Sequence, residues 1–177
     1  ESYYENEKFF PMIQKEIKEL IAKQVDGIVY VTTHERVLKC LPEELNVPAV
    51  MAYGYTRSPK YPSIVVDDRK GAAEVIRYLF SMGHRRIGTV SGPVRSIHTR
   101  ERLLGVQDIF TEQGIPFEKK CVVEGDWRRG SGYRGTDSLL EQKVTAIFCM
   151  SDIMAGGVYD RLGELGLIPG KDISVAG

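Results

Sequence analysis

The chain has no excess of charge of either sign, because 24 lysines and arginines balance 24 acidic residues and give a formal net charge of zero. Binding to nucleic-acid phosphates depends on clustered positive charge, so this neutral chain is a poor candidate for gripping DNA unaided. It has no apolar run that approaches membrane-spanning length, and nothing in it resembles a signal peptide. These absences argue against a membrane-bound protein and against a DNA-binding surface within these residues.

Cysteine is also scarce. The three cysteines are an odd number, and two of them, Cys121 and Cys149, lie within apolar runs that are typical of strands. Together with Cys40 they are interpreted as buried thiols of a protein in the reducing cytoplasm, not as a disulfide framework or a metal site.

The usual marks of catalysis are missing. The three histidines have no metal-ligand spacing, there is no G-x-S-x-G nucleophile elbow, and no cysteine lies in an activating setting. His84, at a predicted helix–strand turn, is interpreted as a structural or exposed residue. We therefore expect a binding protein with no catalytic residue, no cofactor and no metal.

What is present is an alternation of apolar strands and amphipathic helices. Strands are predicted at 27–31, 47–51, 63–66, 86–90, 121–123, 145–149 and 173–176, and helices at 7–23, 34–40, 71–82, 99–113, 131–141 and 152–165. Such an alternation predicts an α/β fold with parallel sheets covered on both faces. The segment 53–62 interrupts the rhythm and is predicted to be a loop or a domain junction. The chain has no initiating Met and stops within its last apolar strand, so we expect an interior piece of a longer protein.

Ligands of open parallel sheets bind beyond the carboxyl ends of the strands, so the loops at these ends are the candidate site. Trp127, the only tryptophan, follows the predicted strand 121–123. Its ring could stack on the apolar face of a sugar or a base, or it could pack under a neighbouring loop. Arg102 could aim its hydrogen-bond donors at ligand hydroxyls or a carboxylate, or it could be a solvated arginine of a charged helix.

The remaining strand-end loops carry ambiguous polar residues. The loop 91–98 lacks both the G-x-x-x-x-G-K-[ST] and the G-x-G-x-x-G patterns, which argues against a nucleotide site. Ser151 and Asp152 precede a helix, where one can serve as the N-cap and the other can face a ligand. Asp67 and Asp68 present the same choice before the helix at 71–82.

Several motifs, in order, resemble those of the LacI/GalR family of bacterial transcription regulators. They are Val25-Asp-Gly-Ile-Val29, Val47-Pro-Ala-Val50, Ser63-Ile-Val-Val-Asp-Asp68 with Gly71, Gly83-His-Arg-Arg-Ile-Gly88, Arg100-Glu-Arg-Leu-Leu-Gly105, Glu124-Gly-Asp-Trp127 with Ser131-Gly-Tyr133, Thr145-Ala-Ile-Phe-Cys149 with Ser151-Asp-Ile-Met-Ala155, and Asp172-Ile-Ser-Val175. Each motif is weak alone, but their shared order and spacing over nearly the whole chain is specific.

The resemblance implies two Rossmann-like subdomains of the type I periplasmic-binding-protein fold, truncated at both ends. Residues 1–67 would be part of the N-terminal subdomain and residues 68–177 most of the C-terminal one, with a small effector, often a sugar, between them. It also implies a homodimer that binds operator DNA through a helix-turn-helix preceding residue 1. The helix at 7–23, with Tyr3, Tyr4 and Phe9 near its start, is a predicted part of the dimer contact.

The family's effector site is carried over residue by residue. Arg102 matches the arginine that clamps effector hydroxyls or a carboxyl group, and Trp127 matches the stacking aromatic. The polar contacts fall on Ser96, His98 and Asp67. Tyr53 and Ser151 also fall on effector positions but depart from the pattern, since sugar-binding members often have Asp and Asn there. Both departures remove strong partners of sugar hydroxyls, so the usual galactosides and glucosides do not follow from the resemblance.

Three functions follow, from different classes. The first is the effector-binding and dimerisation core of a cytoplasmic transcription regulator. The second is a secreted sugar-binding protein of an ABC transporter with the same fold, which the three unpaired cysteines disfavour. The third, a Rossmann-like enzyme, requires a catalytic group that the sequence does not offer. The sequence does not name the effector, the operator, or whether the effector induces or co-represses.

Overall fold

A computed structural model describes residues 7–32, 37–42, 44–56 and 58–177. The chain divides into two compact units, Glu1–Val66 and Asp67–Gly177. The division falls after the interrupted segment 53–62, so that segment is not the junction. It contains a short strand of the first unit.

The first unit holds the helix α1 (Phe10–Ala22) and five short strands: β1 (Ile28–Val31), β2 (Val37–Leu38), β3 (Ala49–Ala52), β4 (Tyr55–Thr56) and β5 (Ser63–Ile64). One parallel sheet has the order β1-β3-β5, and β2 pairs in parallel with β4. A small core forms around Leu38, Met51 and Tyr61, and the Tyr61 hydroxyl donates to the Pro42 carbonyl at 2.8 Å.

Two predictions in this unit are wrong in part. The predicted helix at 34–40 is contradicted at Val37 and Leu38, which are buried and form a strand that pairs with β4. Strand pairing therefore outweighed the local helical pattern at these two residues. Residues 33–36 lie outside the described residues. The strand at 63–66 ends at Ile64, because only its first two residues pair with β3.

The second unit alternates helix and strand throughout. Its elements are α2 (Asp68–Ser81), β6 (Ile87–Ser91), α3 (Ile97–Glu112), β7 (Val122–Glu124), α4 (Arg129–Glu141), β8 (Ala146–Cys149), α5 (Asp152–Glu164) and β9 (Ser174–Ala176). The four strands are parallel in the order β7-β6-β8-β9. The sequence predicted all eight elements, with ends that differ by up to three residues.

Two helix pairs enclose this sheet. α2 packs against α3 and α4 packs against α5, and because parallel crossovers are right-handed the two pairs cover opposite faces. The central strands β6 and β8 are buried along their whole length, as continuous apolar runs require. The α/β class with parallel sheets is therefore confirmed.

The structure also settles several residues that the sequence left open. His84 is structural: its Nδ1 lies 2.9 Å from Thr145 Oγ1 and its Nε2 lies 3.0 Å from Ser174 Oγ. These contacts tie the turn before β6 to the residue before β8 and to β9. All three cysteines are buried thiols, as predicted, and burial raises the pKa of Cys149 to about 12. Within the described ranges, no helix has the length and apolarity needed to cross a membrane.

Candidate ligand-binding site

The carboxyl ends of the four parallel strands of the second unit meet at one edge of its sheet. The loops that follow β6, β7 and β8 and the first turns of the helices α2, α3, α4 and α5 lie at this edge. Six of the seven residues predicted for the site lie in these loops or in the first two turns of these helices, Arg102 being in the second turn of α3. Tyr53 belongs to the first unit.

A buried carboxylate forms the centre of the site. The side chain of Asp68, the first residue of α2, is only 3% exposed. Its Oδ1 accepts from Nε of Arg102 at 2.7 Å, and its Oδ2 lies 2.6 Å from Nδ1 of His98. An ionised carboxylate only accepts hydrogen bonds, so Nδ1 of His98 carries the hydrogen. The two partners are four residues apart and therefore lie on the same face of α3.

These contacts also set the protonation of Asp68. Burial alone would raise the pKa of its carboxyl, but the hydrogen bonds from His98 and Arg102 and the guanidinium charge outweigh burial and lower the pKa below its ordinary value. Asp68 is therefore an anion at neutral pH.

Arg102 connects three elements of the unit. Besides Asp68, its Nη1 donates to the carbonyl oxygen of Met150 at the end of β8, and its guanidinium carbon lies 5.9 Å from the centroid of the Trp127 ring. The side chain is 27% exposed. Among the described residues, its hydrogen bonds use Nε and Nη1 and leave Nη2 without a partner. A solvated arginine would have none of these anchors, so this interpretation of Arg102 is wrong. The guanidinium is therefore fixed in position and still has N–H groups that can donate to a ligand.

Trp127 packs under a neighbouring loop, as one of the two predicted roles required, and it also lies beside Arg102. Its ring is partly buried against the core and covers Gly92, the residue after β6. Its backbone is left-handed, with φ at 64°, which is rare for a bulky residue. The turn is fixed by Asp126, whose Oδ1 accepts from the Arg128 N–H at 3.0 Å. Part of the ring therefore packs under a neighbouring loop, and the rest faces the guanidinium of Arg102.

Two predicted contact residues serve as helix caps. Ser151 is the N-cap of α5 and its Oγ accepts from the Met154 N–H at 3.3 Å. Asp67 is the exposed N-cap of α2, and its Oδ1 accepts from the Lys70 N–H at 3.1 Å. The sequence had left Asp67 and Asp68 as alternatives; the neighbour of Asp67, not Asp67 itself, is buried and holds Arg102.

The remaining predicted residues are placed as follows. Ser96 is the buried N-cap residue of α3, and its side chain makes no capping bond to the described backbone. Tyr53 directly follows β3 with a left-handed φ of 62°, and its N–H donates to the Ile64 carbonyl at 2.8 Å. The part of the chain that the structure describes contains no group of three or more His, Cys, Asp or Glu side chains that could hold a metal ion.

Sequence reasoning missed two features of this site. The role of Asp68 was missed, although the spacing of His98 and Arg102 on α3 points both side chains at a common partner. Gly92 carried no signal, because its value lies in the missing side chain that leaves room for a ring distant in sequence.

Parallel α/β sheets with aromatic and polar side chains at their carboxyl ends define a ligand-binding protein of the α/β class. Within this class the match is specific: residues 5–175 match the family described as periplasmic binding proteins and sugar binding domain of LacI family. The chain belongs to this family, which confirms the predicted resemblance and the type I periplasmic-binding-protein-like fold.

Relatives with known names agree. The HTH-type transcriptional repressor PurR of Photorhabdus laumondii is 36% identical over 163 residues, 89% of this chain and 48% of the relative. Catabolite control protein A of Priestia megaterium is 33% identical over 170 residues, 91% of this chain and 50% of the relative. The chain thus spans about half the length of the curated relatives it matches. A solved complex of the transcriptional regulator CelR with cellobiose is 27% identical with a TM-score of 0.66, covering 93% of this chain and 52% of that chain.

Proposed function

We propose that this chain is the effector-binding and dimerisation core of a LacI-type transcriptional regulator. The regulator acts as a cytoplasmic homodimer, and it binds operator DNA through a helix-turn-helix that lies outside these residues. The effector is a small molecule, most simply a sugar. Its binding favours one of two states of the dimer through contacts that differ between them, and so changes the affinity for DNA.

The observation that carries this proposal is the arrangement of Arg102. Its guanidinium is fixed by Asp68 and by the carbonyl of Met150, beside the ring of Trp127, at the carboxyl edge of the sheet. Fixed donors next to an aromatic face suit a sugar, whose ring has hydroxyl groups at its edge and an apolar face. Because the guanidinium is already ordered, the ligand does not bear the full entropy cost of ordering it.

The names of the relatives favour a regulator over the alternatives. PurR is named as a transcriptional repressor, and CelR as a transcriptional regulator in complex with cellobiose. Neither name supports the transporter-associated sugar-binding protein. Among the described residues, the site offers fixed hydrogen-bond donors and an aromatic ring but no nucleophile next to a base, so we do not propose catalysis.

A fluorescence screen tests the proposal, because Trp127 is the only tryptophan. The complete protein is titrated with neutral mono- and disaccharides while the emission is recorded, and the Trp127→Phe variant is the control. We expect at least one sugar to shift the wild-type emission in a saturable way and to alter operator binding over the same concentration range. A sugar that binds tightly and alters operator binding, yet leaves the Trp127 emission unchanged and binds the Trp127→Ala variant equally well, contradicts a stacking role for Trp127.

A further inference from the structure

We propose that Asp68 is a positioning residue that selects neutral ligands over anionic ones at the Arg102 site. The inference rests on the proposed function for its biological meaning. It concerns a residue that the sequence motifs did not assign to the site, and the structure places it behind the ligand-facing groups.

The hydrogen bonds of Asp68 place its carboxylate beside the guanidinium of Arg102. The carboxylate of Asp68 uses one oxygen for Arg102 and the other for His98, and its side chain is 3% exposed against 27% for Arg102. A ligand therefore meets the guanidinium and not the carboxylate. Asp68 fixes the direction of the guanidinium through its Nε–H. Because Nη2 lies on the same side of the guanidinium as Nε–H, a ligand that accepts from Nη2 lies close to this carboxylate.

The Asp68–Arg102 ion pair also sets the charge that a ligand meets at this site. Asp68 and Arg102 form an ion pair whose atoms lie 2.7 Å apart, so the pair carries no net charge although the guanidinium faces the ligand. An anion that accepts from Nη2 gains attraction from the guanidinium but is repelled by the nearby carboxylate, and this repulsion is poorly screened in a partly buried site. A neutral hydroxyl oxygen accepts the same hydrogen bond without that repulsion. The pair thus offers the donor geometry of an arginine without its net charge.

A charge-compensating role for Asp68 and a purely structural role predict different effects of removing its charge. If Asp68 only stabilised the fold, removing its charge would weaken every ligand together or unfold the unit. If it compensates the charge of Arg102, removing its charge would strengthen the binding of anions while the fold persists. The two roles predict opposite changes in anion affinity.

The experiment uses the complete protein and inorganic phosphate as the anionic probe. Asp68→Asn keeps the shape of the side chain and removes its charge, and Asp68→Ser is the second variant should the first fail to fold. Asp108→Asn is the matched control, because it removes an exposed carboxylate that also accepts from an arginine Nε–H. Binding is followed by Trp127 emission and by the nitrogen-15 NMR signal of the Arg102 Nε–H. We expect Asp68→Asn to bind phosphate about tenfold more tightly than the wild type at low ionic strength, with the phosphate affinity of Asp108→Asn unchanged.

The wild type supplies a test that needs no variant. The Nε–H of Arg102 is bonded to a buried carboxylate, so its exchange with water should be markedly slower than that of the exposed Arg100 on the same helix. Equal exchange rates, or phosphate affinities that are the same with and without the Asp68 charge, overturn the inference. If the phosphate result holds while no sugar binds the wild type, the proposed sugar-effector function fails and the role of Asp68 stands.

Discussion

A Cβ atom on Gly92 would lie 2.0 Å from Cζ2 of Trp127, so the indole ring occupies the space that any other side chain at residue 92 would need. The only tryptophan of the chain is thus seated on the end of strand β6, although it belongs to the loop after β7. This contact explains how a large ring on a loop keeps a fixed position beside Arg102, as a rigid binding surface requires.

Substitution of Gly92 should therefore displace the Trp127 ring, although residue 92 itself offers no side chain to a ligand. We expect Gly92→Ala to shift the Trp127 emission to longer wavelength, to weaken effector binding, and to lower the free energy of unfolding by about 1–3 kcal/mol. Gly71→Ala is the control, because a Cβ there meets nothing within 4 Å and its helix should be unchanged or slightly more stable. An unshifted emission in Gly92→Ala would show that the ring does not depend on this contact.

Close backbone approach, not surface charge, should hold α4 against α5. A Cβ on Gly157 would lie 1.9 Å from the carbonyl oxygen of Arg129, whereas the Arg129–Asp160 ion pair beside it is about half exposed at both side chains. We expect Gly157→Ala to lower the melting temperature by several degrees and Asp160→Ala to change it little, since exposed ion pairs contribute little. Thermal unfolding followed by circular dichroism compares the two, and a larger loss in Asp160→Ala would reverse this order.

The sequence predicted the second unit well because its strands are buried on both faces and its helices end at clear stop signals such as Gly83, Gly114 and Gly166, all with positive φ. It failed at Val37 and Leu38, where two residues pair with a distant strand and carry too little local pattern to oppose a helix. The sequence identified Arg102 and Trp127 as candidates because both follow the carboxyl ends of predicted strands. Their partners Asp68 and Gly92 were not, because contacts between distant residues leave no mark in local periodicity.

Asp68 should give the fold a specific dependence on acid. Its pKa is lowered in the folded state, so its contribution to stability is complete above the unfolded pKa of about 3.9 and is lost as pH falls through the lower folded value. We expect the difference in unfolding free energy between wild type and Asp68→Asn to be largest above pH 5 and to shrink towards pH 2. Urea unfolding across this range measures it. Asp108→Asn, which removes an exposed partner of Arg69, should give a smaller change.

The exposed apolar side chains of α1 are the predicted contact between two copies of the protein. α1 and the residue before it expose Phe9, Met12 and Leu20, at 47%, 57% and 38%, and half-site recognition by the proposed regulator requires a two-fold dimer. Tyr3 and Tyr4 of the predicted contact lie outside the described residues. We expect the complete protein to sediment as a dimer at micromolar concentration, and Phe9→Glu with Met12→Glu to weaken it. A wild type that is only monomeric would contradict the dimer, and an unweakened double variant would place its contact elsewhere.

The central claim is that Arg102 transmits the presence of an effector, and operator binding by the complete protein with and without effector tests it most directly. Losing a held, charged donor group should cost about 2–4 kcal/mol of effector binding, which weakens affinity roughly thirtyfold or more. Arg100→Ala, on the exposed side of the same helix turn, is the matched control. We predict that Arg102→Ala binds operator as the wild type does but no longer responds at effector concentrations that saturate the wild type, while Arg100→Ala responds normally. An Arg102→Ala protein that still responds at wild-type effector concentrations would contradict the account.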